Sequence, residues 1–319
     1  MTVTKTKRVL SLSTLFPNAA HPRFGIFFAK SLEALQQETH WDVTLVNPIG
    51  LPPITFGRYR APARAAQDGR EFGFPVHRPV FRLLPKIGGR LNPRLIARSV
   101  LPLVRQLHAE NPFDLVDAQF FYPDGPAAMA IASDLDLPLS VKARGADIHF
   151  WGARGYGCQA LQRTASAAAG VLAVCEALAD DMATLGIARE AITIHYTGLD
   201  RDLFRPLDHA GLRTRLAATF DLPLREDDTL LASVGALIER KGQGLVIQAL
   251  ADLPQARLLL VGKGEDEASL RALAREVAVP DRVHFLGSLE PAMLPPILSA
   301  ADAMVLPSAS EGLANAWIE

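Results

Sequence analysis

Lys241 lies in Val234-Gly235-Ala236-Leu237-Ile238-Glu239-Arg240-Lys241-Gly242, where an apolar run gives way to a loop with a glycine at each end. An ammonium on a flexible stem acts as a point charge that can reach a phosphate. Gly235 and Gly242 let backbone approach a ligand closely, and Arg240 places a second cation beside Lys241. Glu311 and Glu319, with seven residues between them, occupy Pro307-Ser308-Ala309-Ser310-Glu311-Gly312 and the stretch that follows. A carboxylate has acceptor oxygens for two hydrogen bonds, which suits the vicinal diol of a ribose or another sugar. Val261-Gly262-Lys263-Gly264-Glu265 begins like a dinucleotide fingerprint, but Glu267 stands where its last glycine belongs. Gly262 and Gly264 are therefore expected in a turn lining a nucleotide pocket. Arg282-Val283-His284-Phe285-Leu286-Gly287 reads by itself as a plain strand and turn, and Val283 is counted among the nucleotide-contacting candidates. The chemistry these groups share is that of a diphosphate flanked by sugars. Each segment also admits a plainer account: Glu311 as a helix cap, Glu319 on a solvated face, and the glycine loop as an ordinary surface turn.

The elements that must position these groups follow from periodicity. Short β-branched or apolar runs alternate with longer amphipathic stretches, which predicts βαβ units and parallel sheets. In the first half, strands are expected near Val9–Ser13, Val43–Val46, Leu115–Ala118, Leu139–Lys142, Gly170–Val174 and Ile192–His195. Helices are expected over Gly25–Glu38, Asn92–Glu110, Gly125–Asp134, Cys158–Ala168 and Cys175–Leu185. The rhythm then restarts, with strands at Thr229–Val234, Ala256–Val261, Arg282–Leu286 and Ala303–Leu306. The intervening helices are Gly242–Ala251, Glu265–Glu276 and Pro291–Ala300, and another begins near Leu313. The expectation is α/β architecture in two Rossmann-like, doubly wound domains, 1–200 and 201–319, joined within Gly198–Asp221. Ligands of such sheets bind beyond the carboxyl ends of the strands, where the Lys241 and Glu311 loops fall. A helix start there offers free N–H groups to an anion. No glycine, proline or basic last turn closes the final helix at Glu319, so the second domain is expected to be incomplete.

In this order the segments resemble the family 4 glycosyltransferases, whose GT-B fold sets two such domains facing a cleft. The resemblance is strong from about Gly170 to Glu319 and looser before it. Glu311 and Glu319 resemble the family's EX7E motif, and Gly235 to Gly242 its phosphate loop. Ile194-His195-Tyr196-Thr197-Gly198-Leu199-Asp200, followed by Phe204-Arg205-Pro206, resembles its interdomain segment. Phe121-Tyr122-Pro123-Asp124-Gly125 and Arg144-Gly145-Ala146-Asp147-Ile148 resemble first-domain stretches of the branch that makes surface polysaccharides. The resemblance implies a retaining, metal-independent transfer from a nucleotide-diphosphate sugar, with no cofactor, to a polysaccharide or lipid-linked acceptor. It implies that Lys241 neutralises the leaving diphosphate, Glu319 binds the ribose and Glu311 the transferred sugar. Two positions depart from the pattern. Ala236 stands where many members have Arg, with Arg240 a candidate for the missing charge. Arg144 stands where many have His, and so is assigned to a phosphate or the acceptor, with Asp147 assigned to a hydroxyl. A GT-B-type nucleotide-sugar epimerase and an inactive or structural fragment are the alternatives.

Composition adds bounds. The net charge is −1, which gives no pull toward nucleic acid. The charge is uneven, however: from Arg58 to Arg105 there are eleven Lys or Arg against only Asp68 and Glu71. Aromatic and apolar residues interleave with them, so the block is either a solvated surface or a face for an anionic acceptor or membrane. The two cysteines and eight histidines are scattered without metal-ligand spacing. The N-terminal apolar stretch is broken by serine and ended by Phe16-Pro17-Asn18, which favours a first strand over a signal peptide. The expected location is cytoplasmic, including the inner face of the membrane.

Overall fold

The computed structural model describes residues 6–38, 40–84, 88–208, 211–225 and 227–319. Lys86 of the basic block lies outside them. The chain divides into two compact units, Met1–Thr197 and Gly198–Glu319.

The first unit carries β1 (Lys7–Leu12), β2 (Trp41–Val46), β3 (Ile49–Leu51), β4 (Gly69–Glu71), β5 (Phe74–His77), β6 (Val80–Arg82), β7 (Leu115–Ala118), β8 (Leu139–Ala143), β9 (Gly170–Ala173) and β10 (Ile192–Ile194). Eight of these form one sheet in the order β10-β9-β8-β7-β1-β2-β5-β4. All neighbours are parallel except β4, which runs antiparallel to β5 at the edge. The chain winds outward from β1 to β2 and β5, then returns to β7 on the other side of β1. That reversal between β1 and β7 makes a switch point in the Rossmann sense. Val43, Leu45 and Val46 are fully buried, as a parallel strand covered on both faces requires. The helix Asn92–Glu110 has Pro93 in its first turn, where its fixed φ is suited. It buries Ile96, Val100 and Val104 on one stripe at i, i+4 spacing.

For residues 47 to 91 the periodicity predicts no strand or helix. They contain β3 to β6, of which β4 and β5 extend the main sheet and β3 and β6 form a separate parallel pair. None exceeds four residues, and prolines at 75 and 79 interrupt the pattern, so no periodicity builds up.

The second unit has β11 (Thr229–Val234), β12 (Ala256–Val261), β13 (Val283–Gly287) and β14 (Ala303–Met304), all parallel, in the order β13-β12-β11-β14. It has the same winding as the first, with its switch point between β11 and β14. The central strand β12 shows why the fold forms. Leu258 and Leu260 enter one core with Val246, Ile247 and Leu270. Leu259 and Val261 enter the opposite core with Leu212, Leu216 and Ile297. Period-two alternation thus feeds both faces, and the strand reads as an unbroken apolar run.

Candidate functional site

The second unit's switch point gathers four of the sequence-predicted residues, Gly235, Arg240, Lys241 and Glu311. β11 ends at Val234 and runs through Gly235 into a tight turn, Glu239–Lys241, before the helix Gln243–Ala249. Gly242 between them has φ +73°, and a Cβ there would collide with the Pro307 carbonyl. Only glycine satisfies both constraints. The loop after β14 therefore lies directly on this turn, where the Ala309 N–H donates to the Arg240 carbonyl at 2.8 Å.

That contact brings the charges together. The Lys241 ammonium donates to Glu311 Oε1. The Arg240 guanidinium donates to the Ser310 carbonyl and, at 3.2 Å, to the same Glu311 oxygen. The side chains of Lys241 and Glu311 are only 13% and 12% exposed. The pair is thus largely shielded from water, where charge interactions are stronger than at an open surface. Two buried polar atoms in the same loops have no hydrogen-bond partner among the described residues, Ser308 Oγ and Gln243 Oε1. Such orphans call for an explanation, and a polar ligand is one. Sequence reasoning passed over both, because serine in a turn and glutamine at a helix start are common without function.

The glycines divide by role. Gly235 has room: an added Cβ would meet Leu306 and the Lys241 stem at ordinary contact distance, 3.8 Å. Gly262 and Gly264 have none. At Gly262, with φ +146°, a Cβ would strike the Gly235 carbonyl, and at Gly264 it would strike the Leu237 carbonyl. Hydrogen bonds from Leu237 N–H to the Lys263 carbonyl and from Asp266 N–H to the Leu237 carbonyl, both 3.1 Å, lock these backbones together. The space left by the two absent side chains is filled by protein, so these glycines pack backbone to backbone against the Lys241 loop.

Val283 is not brought to the site. It is the first residue of β13, 6% exposed and packed in the core with Leu258 and Leu260. The ligand end of that strand is at Gly287. Glu319 follows the short helix Asn315–Ile318, its N–H bonded to the Asn315 carbonyl at 3.0 Å. Burial pushes its carboxyl above the usual range. The helix Gln243–Ala249 has only two turns, so its dipole offers less to an anion than the sequence suggested, and the cations must supply more.

Arg144 and Asp147 lie in the first unit, just past the carboxyl end of β8. Asp147 is fully buried, and its oxygens accept from the backbone N–H groups of Phe121 (2.7 Å), Arg144 (3.0 Å) and Gly145 (2.8 Å). It clamps the Arg144-Gly145 turn and holds the start of the β7 loop, which places its carboxylate inside the protein rather than toward a ligand hydroxyl. The Arg144 guanidinium donates to the Gln119 side-chain oxygen at 2.7 Å and lies 4.4 Å over the Phe28 ring. Burial pulls Arg144 down to about 10.

Three further buried ionisable groups surround this turn and were not singled out from sequence. Asp117 accepts from Ser11 Oγ (3.0 Å) and from Gln119. Lys142 lies 2.9 Å from His195 Nδ1, and burial, with the Arg144 charge adding, pulls it down to about 7. Asp124 accepts from the N–H (2.9 Å) and hydroxyl (2.8 Å) of Thr14, and burial, with the Asp147 charge adding, pushes it up to about 7. The available signal was a charged residue inside an otherwise apolar strand, Asp117 in β7 and Lys142 in β8.

The raised Asp124 carboxyl has a measurable consequence. A folded-state pKa near 7 against an unfolded value near 4 means that the native state alone holds this proton between those limits. Stability from this group is full below about pH 4 and is lost as pH rises toward 7. Each tenfold change in proton affinity is worth about 1.4 kcal/mol, so the loss is on the order of 4 kcal/mol. Urea denaturation of the protein at intervals from pH 5 to pH 7 is expected to show falling stability, and Asp124→Asn to flatten the fall. Equal slopes in both proteins would remove Asp124 as the source.

Comparisons with known proteins agree with this architecture. Residues 32–203 match Glycosyltransferase Family 4, and residues 215–319 match Glycosyl transferases group 1. Across 98% of its length the chain is 28% identical to the putative teichuronic acid biosynthesis glycosyltransferase TuaC of Bacillus subtilis, of which it covers 78%. Over 44% of its length it is 35% identical to D-inositol 3-phosphate glycosyltransferase of Mycobacteroides abscessus, of which it covers 32%. The fold matches the Anabaena Alr3699/HepE structure in complex with UDP and glucose, with a TM-score of 0.68 at 18% identity, covering 97% of this chain and 77% of that one.

Proposed function

The chain belongs to Glycosyltransferase Family 4, and from that premise we propose that it moves a sugar, with retention at the anomeric carbon, from a nucleotide-diphosphate donor to a saccharide or lipid-linked acceptor of surface-polysaccharide synthesis. The observation that carries this reading is the cluster of Lys241, Arg240 and Glu311 at the second unit's switch point. Glu311 pairs with both cations. A diphosphate carries more negative charge than one carboxylate and is the better partner for Lys241 and Arg240. Its arrival would free the Glu311 oxygens to accept from hydroxyls of the transferred sugar. Glu319, just past the helix that follows, is assigned to the ribose, and Ser308 Oγ to a phosphate oxygen.

In the transfer itself, the bond between the anomeric carbon and the diphosphate oxygen breaks as the acceptor oxygen bonds to that carbon from the same face. The acceptor's proton leaves with the diphosphate. Charge accumulates on the leaving diphosphate, and donors fixed beforehand around that position lower the barrier. We assign that task to Lys241 and Arg240 and propose that no divalent cation shares it. A chelator such as EDTA is then expected to leave the rate unchanged, whereas restoration of a lost rate by added magnesium or manganese would contradict the assignment.

The relatives' names support the acceptor class, since the Bacillus relative is named for teichuronic acid biosynthesis. Incubation with a panel of nucleotide sugars, with and without acceptor, tests the reading. Transfer product that needs acceptor is expected. An epimerised sugar released without acceptor would establish the epimerase alternative instead.

A further inference from the structure

The first unit's excursion between β3 and β6 concentrates exposed apolar and cationic side chains. Ile54 is 74% and Phe56 67% exposed, the two highest values among the large hydrophobic residues described as exposed. Arg58, Arg60 and Arg64 follow within one short turn and helix, and all three are exposed. Single exposed hydrophobic residues are ordinary, but two within three residues, backed by three arginines, form an amphipathic tip.

The structure also shows where the neighbouring acids go. Glu71 forms a paired hydrogen bond to the Arg78 guanidinium, at 2.7 and 2.9 Å, and that side chain is only 3% exposed. Asp68 accepts from the Arg78 N–H at 2.7 Å and is paired with His77 at 2.9 Å. Both acids that interrupt the basic block in sequence are thus occupied internally. Arg82, Arg90, Arg94 and Arg98 are exposed as well, and none has a carboxylate partner among the described residues. The segment is continuous: the helix Arg60–Ala65 packs on β3, β3 pairs with β6, and β6 packs on the helix Asn92–Glu110.

We infer that the Ile54–Arg64 tip is a docking element for an anionic lipid bilayer, with Ile54 and Phe56 entering the interface and Arg58, Arg60 and Arg64 meeting the headgroups. Charge complementarity selects this occupant, because juxtamembrane cations are attracted to anionic leaflets and apolar side chains among them anchor at the boundary. The inference deepens the proposed transfer to a lipid-linked acceptor and rests on that reading for its purpose, though not for its test.

Sedimentation of the whole chain with vesicles decides it. Binding is expected to vesicles of phosphatidylcholine mixed with phosphatidylglycerol, to weaken at high salt, and to be slight with phosphatidylcholine alone. Ile54→Ser/Phe56→Ser and, separately, Arg58→Glu/Arg60→Glu/Arg64→Glu are expected to lower it by about tenfold or more. Arg163→Glu/Arg275→Glu, exposed charges elsewhere, should bind as the unaltered protein does. Equal partitioning into neutral and anionic vesicles, or tip variants that bind as well as the unaltered chain, would overturn the inference. So would a loss confined to Arg82, Arg90 and Arg94 variants. Nucleotide-sugar affinity measured on the same variants reports folding. Its absence alongside intact vesicle binding would count against the transferase reading alone.

Discussion

Replacing Lys241 with alanine is expected to lower kcat/KM by about 10²- to 10³-fold, the range seen when one fixed donor to a developing charge is removed. That corresponds to about 3–4 kcal/mol of transition-state stabilisation. The magnitude follows from shielding: the ammonium is 13% exposed, and the charge it meets in the proposed complex grows as the diphosphate departs. Removing one member of a shielded pair also leaves the other behind, and Glu311 would then face Arg240 alone. The double replacement Lys241→Ala/Glu311→Gln removes the stranded carboxylate but also the group assigned to the sugar, so only recovery of the rate in it is decisive. Initial rates for both variants are expected to stay low. Recovery in the double variant would mean that Lys241 serves only to hold Glu311.

The glycines give the second large effect, and they divide it between stability and binding. Gly262→Ala is expected to destabilise the second unit by about 3 kcal/mol or more, because the new methyl must displace the Gly235 carbonyl and the backbone must hold φ +146° with a side chain. Gly235→Ala meets only ordinary contacts and is expected to change stability by less than about 1 kcal/mol. Its methyl would nonetheless stand beside Lys241, where the diphosphate is proposed to lie, so donor affinity should fall. Urea denaturation and calorimetric titration of both variants check this. A stable Gly262→Ala protein would show that the two loops are not packed backbone to backbone. Undiminished donor affinity in Gly235→Ala would put the ligand elsewhere.

The second unit was largely legible in the sequence because three of its four strands, β11 to β13, are mostly apolar runs of five or six residues. β12 is the clearest case, with four consecutive core residues from Leu258 to Val261. The edge strand β4 and its neighbour β5 were not legible, because three or four residues carry no period. Lys241 and Glu311 could be singled out, since adjacent cations just before a loop glycine and a carboxylate after Pro-Ser are uncommon patterns. What sequence could not reveal was which backbone each glycine touches. Gly262 and Gly264 looked like pocket residues because close approach to a ligand and close approach to another loop leave the same mark. Asp147 looked like a ligand contact for a similar reason: an acid beside a glycine turn is equally suited to binding a substrate hydroxyl or three backbone N–H groups. Arg78 likewise counted toward a basic surface until its pairing with Glu71 showed that it belongs to the interior.

The most direct measurement is a crystal structure of the protein soaked with an unreactive analogue of its nucleotide-sugar donor. The diphosphate is predicted within ion-pair distance of the Lys241 ammonium, with the Lys241–Glu311 contact broken and Glu311 turned to the sugar hydroxyls. An analogue bound with Lys241 still held by Glu311, or bound away from the carboxyl ends of β11 and β14, would contradict the account.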